Sequence, residues 1–298
     1  MGMALWAMDD IPAQARRIEE AGYDFVHCGE HVQGRNDVFN SFVALSAAGA
    51  ATERLGLMST VVLLPLYPAA LAAKLGAAVD IASGGRYCMG VGVGGELPGE
   101  FDACGVPLSE RGARTDEAIE VIRHLWRDDE VTFEGRFNRF SHLSIRPRPV
   151  TTPHPAIWVA GRRRAAMRRA ARLGDGWLPY MYSPEMLAES LTEIATLCES
   201  FGRTERPAAG IWLPLCCHRD RVQAQRWVTD ALSRRYRQDF TLLAPRYAVF
   251  GTEEDCRQRV QEYLDAGATT VALVAMGPDD QLADTMEAFS QLLPRARR

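Results

Sequence analysis

The residues with the clearest chemical potential are two histidines and a glutamate near the amino terminus, His27, Glu30 and His31. Their H-x-x-E-H spacing matches that of a class of zinc hydrolases, whose site needs a helix to bring both histidines to one face. The run before them, Tyr23–Cys28, is typical of a strand, and Gly29 disfavours a helix. We therefore expect a packed His27, with His31 and Glu30 at the strand end, where proton transfer could occur. A zinc site on His27 and His31 is the alternative.

A second motif is a cluster of glycines after a predicted strand, Gly90, Gly92, Gly94 and Gly95, which matches G-x-G-x-x-G. That dinucleotide-binding fingerprint also requires a helix that begins at its last glycines. Here the chain continues ELPGEFDACGVP, and the next helix is predicted only from Ser109, which would cap it. We therefore do not interpret the motif as a Rossmann fingerprint. It indicates a loop whose backbone can approach a cofactor closely.

A basic turn, Gly161–Arg164, lies between a predicted strand and a predicted helix. The free N–H groups of a helix amino terminus bind phosphate, and guanidinium groups add charged hydrogen bonds. A solvated basic turn is the alternative, and the position after a strand favours phosphate.

Two further sets of residues lie near predicted strand ends. The segment Ser59–Val61 would ordinarily be core, because it lies inside an apolar strand. Three tyrosines follow strands and either line a pocket or cover its rim: Tyr67, Tyr180 and Tyr182.

Strands and helices that alternate along the chain must position these residues. Eight strands are predicted: Met3–Met8, Tyr23–Cys28, Leu55–Leu64, Tyr87–Val93, Ala156–Ala160, Gly176–Pro179, Ala209–Cys216 and Thr269–Ala275. Eight such units in about 300 residues predict one (β/α)8 barrel domain over residues 1–298, with a doubly wound open sheet as the rival. Val131–Ile145, with turn residues Glu134-Gly135, is predicted to be a β-hairpin inserted near residues 131–146.

In a barrel, function lies at the carboxyl ends of the strands. The residues predicted there include Met8, Glu30-His31, Val93–Glu96 and Gly161–Arg164, and they contain no triad or metal cage. A cofactor that performs the difficult step fits such a sparse set better than direct side-chain chemistry does.

Composition excludes several classes of function. The 298 residues carry a net charge of −4 and are 47% hydrophobic, so no electrostatic surface for nucleic acid or an anionic membrane is expected. We find no apolar run of ~20 residues and no secretory signal. The seven cysteines are scattered, without a C-x-x-C pair, which indicates a reduced, cytoplasmic protein.

With these elements placed, the chain resembles the bacterial luciferase-like monooxygenase superfamily, in particular its deazaflavin (coenzyme F-420)-dependent branch. The resemblance runs from about Ile11 to Ala275. Matching segments occur in the same order: EEAGYDFVHCGEH, ATERLGL, DIASGGRYCMGVGVGG, EFDACGVPLSERGARTDEAIEVIRHLW, VTFEGRFNRF, RPRPV, PHPAIWVAG and RRAARLGDGWLP.

This resemblance implies a TIM barrel with insertions, commonly dimeric, that binds a flavin or deazaflavin at the strand ends. It implies that Glu30-His31 is the acidic-histidine pair after strand 2. It also implies a non-proline cis peptide at Ser59-Thr60 or Thr60-Val61. The cofactor-binding residues that it implies are Ser59, Thr60, Val61, Val93, Gly94, Gly95, Ala160, Gly161, Arg162 and Arg163.

Two positions depart from the family pattern. Many relatives have Arg-His-Pro before the third helix, where this chain has Tyr67-Pro68. The turn after strand 5 usually reads Gly-x-Ser-Pro, where this chain has three arginines, 162 to 164. The first difference concerns the handling of substrate, and the second concerns the phosphate site.

The expected function is hydride transfer between F-420 and a small organic substrate, by a homodimer without a metal. His31, Glu30 or Glu96 would move the proton, and Tyr67, Tyr180 and Tyr182 would contact substrate. One alternative is an FMN-dependent two-component monooxygenase that is served by a flavin reductase. Another is a barrel that binds a cofactor without turnover. No residue specifies the substrate.

Overall fold

Eight parallel strands close into a barrel in the computed structural model, which describes residues 1–6, 9–33 and 37–293. The strands of these ranges, in chain order, are β1 (Gly2–Ala4), β2 (Phe25–Cys28), β3 (Gly56–Ser59), β4 (Val62–Leu63), β5 (Tyr87–Gly92), β6 (Val131–Glu134), β7 (Arg139–Leu143), β8 (Ile157–Ala160), β9 (Gly176–Leu178), β10 (Ala208–Cys217), β11 (Val249–Gly251) and β12 (Thr270–Ala275). Each barrel strand pairs with the next in the order β1, β2, β3, β5, β8, β9, β10 and β12, and β12 pairs again with β1. This closure confirms the predicted barrel and rules out the open sheet.

Helices surround the barrel and follow the strands. They are α1 (Ile11–Glu20), α2 (Ser41–Ala51), α3 (Ala69–Ala82), α4 (Pro98–Ala103), α5 (Arg111–Arg127), α6 (Arg164–Leu173), α7 (Pro184–Ser200), α8 (Arg221–Tyr236), α9 (Ala244–Tyr247), α10 (Glu253–Asp265) and α11 (Leu282–Ser290). The hairpin β6–β7 forms a separate antiparallel sheet, as predicted for residues 131–146.

The barrel strands bury side chains on both of their faces. On β10, Ile211 and Leu213 belong to the large core that the helices cover, whereas Trp212 packs with Met58 and Trp158 in a second cluster. Since successive side chains of a strand point to opposite faces, this second cluster fills the inside of the barrel. The near-continuous apolar runs of the sequence reflect this burial on both faces.

The structure corrects several predicted boundaries. The predicted third strand breaks after Ser59 and resumes only as β4, and a 3-10 turn follows at Leu64–Leu66. Three short elements, β11, α9 and α4, were not predicted from the sequence, because each has six residues or fewer and too few positions to show a hydrophobic period. Ser109 does not cap α5, since a 3-10 turn comes first and Glu110 precedes the helix. The first strand ends at Ala4, and the predicted Met8 lies outside the described residues.

Candidate active site at the carboxyl ends of the strands

His31 lies just after β2 and forms a pair with Glu100 of α4. Its Nδ1 atom is 3.1 and 3.2 Å from the two carboxylate oxygens of Glu100, which is fully buried. The backbone N–H groups of Val32 and Gln33 donate to Oε2 of the same carboxylate, at 2.9 and 3.4 Å. Glu100 therefore fixes both the imidazole ring and the loop that carries it. Within the part of the chain that the structure describes, Nε2 of His31 has no hydrogen-bond partner, so this nitrogen can act on a ligand.

Glu30, the predicted partner of His31, instead links three elements. Its Oε1 accepts the N–H of Leu63 at 2.9 Å, and its Oε2 accepts the N–H and hydroxyl of Ser41 at 3.2 and 3.1 Å. Tyr67 and Asn40 also donate to Oε2, at 3.1 and 3.3 Å. Burial raises the pKa of Glu30 above its usual value, although the N–H groups of Leu63 and Ser41 oppose the rise. Glu30 thus joins the end of β2 to β4 and to the start of α2.

His27 is buried inside the barrel, as predicted. Its Nε2 lies 3.0 Å from the carbonyl oxygen of Leu273, which can only accept, so Nε2 carries the proton. Burial lowers the pKa of His27 to about 4, so the ring is neutral at pH 7 and Nδ1 accepts from the Thr60 hydroxyl at 2.7 Å. Both nitrogens are engaged, which leaves no lone pair for zinc. Among the described residues, no group of three or more His, Cys, Asp or Glu side chains is placed to hold a metal.

The buried His27 should make the fold sensitive to acid. The pKa of His27 falls from its ordinary 6.5 to about 4 on folding, because the buried ring is kept neutral. The contribution of His27 to the free energy of unfolding is therefore fully present above pH 6.5 and is lost as the pH falls through 4. We expect wild type to lose on the order of 3 kcal/mol through this group between these two pH values, and His27→Gln to lack that component. Urea unfolding at a series of pH values measures it, with the exposed His142→Gln as control. Equal pH slopes for wild type and His27→Gln would contradict the assignment.

The strand interruption at Ser59–Val61 explains two glycines of the G-x-G-x-x-G motif. The Thr60–Val61 peptide is cis, which is one of the two positions that the resemblance implied. A Cβ atom at Gly90 would lie 2.0 Å from the carbonyl oxygen of Ser59, and one at Gly92 would lie 2.5 Å from the Val61 side chain. These glycines make room for the interruption, not for a ligand, which corrects our interpretation of that part of the cluster. The Ser59 hydroxyl is fully buried, 3.0 Å from that of Tyr87.

The other two glycines belong to the turn after β5. Gly94 and Gly95 have φ values of +60° and +107°, which favour glycine. Their Cβ positions face the Phe101 ring and the Arg111 side chain. This turn leads directly into α4, whereas the sequence predicted no helix before Ser109. Val93 and both glycines are half-buried and lie just before α4, the helix that carries Glu100.

Glu96, Tyr180 and Arg162, all predicted site residues, come together at the carboxyl ends of β5, β8 and β9. The hydroxyl of Tyr180 donates to Oε1 of Glu96 at 2.7 Å, and Cζ of Arg162 lies 5.3 Å from the centre of the Tyr180 ring. Burial, with the negative charge of Glu96, raises the pKa of Tyr180, so the phenol stays protonated and remains a donor. Tyr182 differs from the prediction of a substrate contact: it is buried, and its hydroxyl lies 3.1 Å from the carbonyl oxygen of Arg162.

The basic turn connects β8 to α6. Gly161 has a φ of +128°, and a Cβ there would lie 2.8 Å from Ala166, so this turn requires glycine. The Nε1–H of Trp177 donates to the carbonyl oxygen of Gly161 at 2.9 Å. Arg163 is exposed at the helix start and makes no side-chain capping hydrogen bond, which leaves the N–H groups of the first turn without a side-chain cap. Such a turn can accept phosphate.

Glu100 was not among the site residues predicted from the sequence. The signal was present in Leu97–Glu100, because proline at the first helical position and an acidic residue in the first turn favour a helix start. Tyr67 and Glu30 were predicted as separate site residues, and a hydrogen bond joins them in the structure. Two surface cavities of about 390 and 250 Å³ lie elsewhere, against α7 and α10 respectively.

Within the described residues, no helix is both long and apolar enough to cross a membrane.

The comparisons with known proteins agree on one family. The family described as "luciferase-like monooxygenase" matches residues 4–295. The chain is 30% identical to an F-420-dependent glucose-6-phosphate dehydrogenase from Nakamurella multipartita, over 94% of this chain and 90% of that protein. It is 32% identical to an FMNH2-dependent dimethylsulfone monooxygenase from Pseudomonas putida, over 63% of this chain and 53% of that protein.

Several curated relatives match over a shorter stretch. An uncharacterized protein of Mycobacterium tuberculosis is 38% identical, and the chain spans about half its length: 55% of this chain and 56% of that protein align. Among solved structures, a monooxygenase from Streptomyces bottropensis superposes with a TM-score of 0.87 at 26% identity and covers 98% of both chains.

Proposed function

The chain belongs to the luciferase-like monooxygenase family, and on that premise we propose that it transfers hydride between coenzyme F-420 and a small organic substrate. The observation that carries the proposal is the His31–Glu100 pair at the carboxyl ends of the strands, with Nδ1 occupied and Nε2 open. Hydride transfer to or from carbon needs one positioned acid or base besides the cofactor. The similarity to the F-420-dependent dehydrogenase, which extends over 94% of the chain, supports F-420 as that cofactor.

The residues at the strand ends fit a flat, anionic cofactor. The uncapped first turn of α6 and the exposed Arg163 present N–H groups and a guanidinium, which are donors that suit a phosphate. We propose that they hold the phosphate together with Gly161. The proposed contacts of the ring are Ala160, Val93, Gly94, Gly95 and the backbone at Ser59, Thr60 and Val61. When bound, the deazaflavin would supply a carbon centre that accepts or releases hydride.

The side chains then manage the proton. With Nδ1 donating to Glu100, Nε2 of His31 would take a proton from a substrate hydroxyl, or return it in the reverse direction. Glu96, which is exposed and held by the Tyr180 hydroxyl, is the proposed second acid or base. Glu30 and Tyr67 position the loop and α2, because their polar atoms are bonded to each other and to Asn40.

A paired titration tests the cofactor. We expect F-420 to bind at least ~10-fold more tightly than FMN. A factor of ten in affinity corresponds to a difference of about 1.4 kcal/mol in binding free energy. Fluorescence quenching measures both affinities. Arg163→Gln should weaken F-420 binding roughly 10-fold, the loss of one charged hydrogen bond, while Arg168→Gln on the same helix should not. Binding of neither cofactor by folded protein would overturn the proposal.

The second candidate is an FMN-dependent monooxygenase, favoured by the 32% identity to the dimethylsulfone monooxygenase. It would take reduced flavin from a partner reductase. Tight binding of FMN alone, with oxygen consumption on addition of a flavin reductase, would select this function over hydride transfer.

We also propose that the protein is a homodimer formed through α2 and α3. These adjacent helices are mostly apolar and expose Val43, Leu71 and Ile81 to 69, 49 and 36%. We expect the double variant Val43→Glu, Leu71→Glu to be monomeric by light scattering, because charges at the centre of an interface are strongly disfavoured. Val222→Glu, at an apolar residue 77% exposed on α8, is the control and should leave the dimer intact. A monomeric wild type would contradict the proposal.

A cytoplasmic location is proposed from the cysteines. All seven are free thiols, which is typical of a reducing compartment.

A further inference from the structure

Two arginine–aromatic pairs lie side by side, one at Tyr180 just after β9 and one at Trp212 in the middle of β10. Tyr180 forms a parallel backbone bridge with Trp212, whose N–H donates to Pro179 at 3.0 Å. Paired residues of neighbouring strands project their side chains to the same face, about 5 Å apart. Arg162 lies over the Tyr180 ring with Cζ 5.3 Å from its centre, and Arg235 of α8 lies over the Trp212 ring at 5.8 Å.

These pairs face the inside of the barrel. Trp212 packs against both the interior cluster and the cluster beneath α8, so its ring lies between the barrel interior and the helix that carries Arg235. The hydroxyl of Tyr180 reaches Glu96, the proposed second acid or base. The two aromatic rings therefore form part of the wall of the proposed active site, on the side of α8 that faces the barrel.

The charges of this wall favour an anion. Within the described ranges, neither Arg162 nor Arg235 forms an ion pair, and the neighbouring Glu96 already accepts the Tyr180 hydroxyl. Tyr236, next to Arg235, is half-buried; burial raises its pKa, so its hydroxyl is a further neutral donor. This wall thus carries two guanidinium groups, one carboxyl group, Glu96, and two phenols, so the cationic groups outnumber the acidic one.

We propose that Arg235 and Arg162, on the Trp212 and Tyr180 rings, form a subsite for an aromatic carboxylate substrate. Guanidinium matches the planar, two-oxygen geometry of a carboxylate, and the half-buried Tyr180 and Trp212 rings offer apolar surface to a flat hydrocarbon. A cofactor phosphate is assigned elsewhere, to the first turn of α6 with Arg163. The subsite rests on the proposed function in that it names the substrate class of the same active site.

Benzoate tests the subsite by calorimetric titration into the cofactor-loaded protein. We expect Arg235→Gln to weaken benzoate binding at least ~10-fold, the effect of losing a hydrogen bond to a charged group, and Arg235→Lys to recover part of it. Arg234→Gln, an exposed arginine one residue away, should change the affinity less than about twofold. The neutral analogue benzamide should bind more weakly than benzoate and should be unaffected by Arg235→Gln.

The other outcomes are equally clear. If Arg235→Gln weakens the cofactor instead of benzoate, Arg235 belongs to the cofactor site and the subsite is wrong. Equal losses of benzoate affinity in Arg235→Gln and Arg234→Gln would mean unspecific charge attraction and would overturn the subsite. The absence of benzoate binding by the cofactor-loaded protein would overturn it as well. Neither result would contradict the proposed function. If neither F-420 nor FMN binds, the function fails, and the same benzoate titration on the free protein then decides the subsite alone.

Discussion

Replacing His31 with asparagine should lower kcat by roughly 10²- to 10⁴-fold, the usual contribution of a positioned general acid or base. The affinity for the cofactor should change less than about threefold, because the proposed role of His31 Nε2 is to exchange a proton with the substrate during the reaction, and not to bind the cofactor. Asparagine can still donate to the Glu100 carboxylate, so the loop after β2 should keep its place. Steady-state kinetics with F-420, together with fluorescence titration of the cofactor, separate the two effects.

Glu100→Gln should reduce kcat by a similar factor, because it should move the His31 ring proton from Nδ1 to Nε2. The carboxylate of Glu100 accepts from Nδ1 of His31 and from the N–H of Val32 at 2.9 Å. A glutamine has one carbonyl oxygen for the backbone N–H groups, so its NH2 group would face Nδ1 and force the ring proton onto Nε2. The nitrogen that should accept the substrate proton would then already be protonated, the kind of error that is costly in a catalytic histidine.

Three controls decide whether these losses are chemical. Glu100→Asp, which keeps the charge, should recover part of the activity, and added imidazole should partly restore a His31→Ala variant by replacing the missing base. His154→Gln, a histidine far along the chain, should have wild-type kinetics. If His31→Asn keeps full turnover, His31 is not the proton-transfer residue; if no substrate is turned over even by the wild type while the cofactor binds, the protein is a binding barrel.

The barrel was predictable because its determinants are local. Apolar strands such as Tyr87–Gly92, bounded by glycine turns and separated by helices, appear in the order that a closed parallel barrel requires. The packing of His27 followed from its place in a strand of alternating faces. The hairpin at Val131–Leu143 was readable from its turn residues for the same reason.

The site was less predictable because its partners meet only through tertiary structure. His31 and Glu100 are 69 residues apart, and their contact depends on the short helix α4, whose six residues carry too little period to read. The glycine motif was interpreted incorrectly for a different reason. A glycine in the sequence indicates that some group approaches the backbone closely, but it does not identify that group. At Gly90 the neighbour is the Ser59 carbonyl, and only the folded chain places it there.

Gly90→Ala should be among the most destabilising single substitutions in this protein. Its added Cβ would lie 2.0 Å from the carbonyl oxygen of Ser59, a backbone atom that no side-chain rotation can move away. The N–H of Gly90 also bonds to the Ser59 hydroxyl at 3.1 Å, so β5 cannot retreat without losing this contact. We expect a loss of about 3 kcal/mol, the upper part of the range for overpacking, and a fall in Tm of roughly 6–12 °C.

Two other glycines turn this expectation into a graded series. At Gly92 the nearest atom is Cγ2 of Val61, 2.5 Å from the Cβ position, and because a side chain can shift, Gly92→Ala should cost about 1–2 kcal/mol. At Gly112, in the first turn of α5, the nearest atom is 3.4 Å away at the end of the Arg169 side chain, so Gly112→Ala should be neutral or stabilise by up to ~1 kcal/mol through helix propensity. Thermal and urea unfolding of the three variants measure the order. If Gly90→Ala unfolds with the same midpoint as Gly112→Ala, the close approach of β5 to Ser59 is wrong, and the glycines of the motif would then be free to serve a ligand after all.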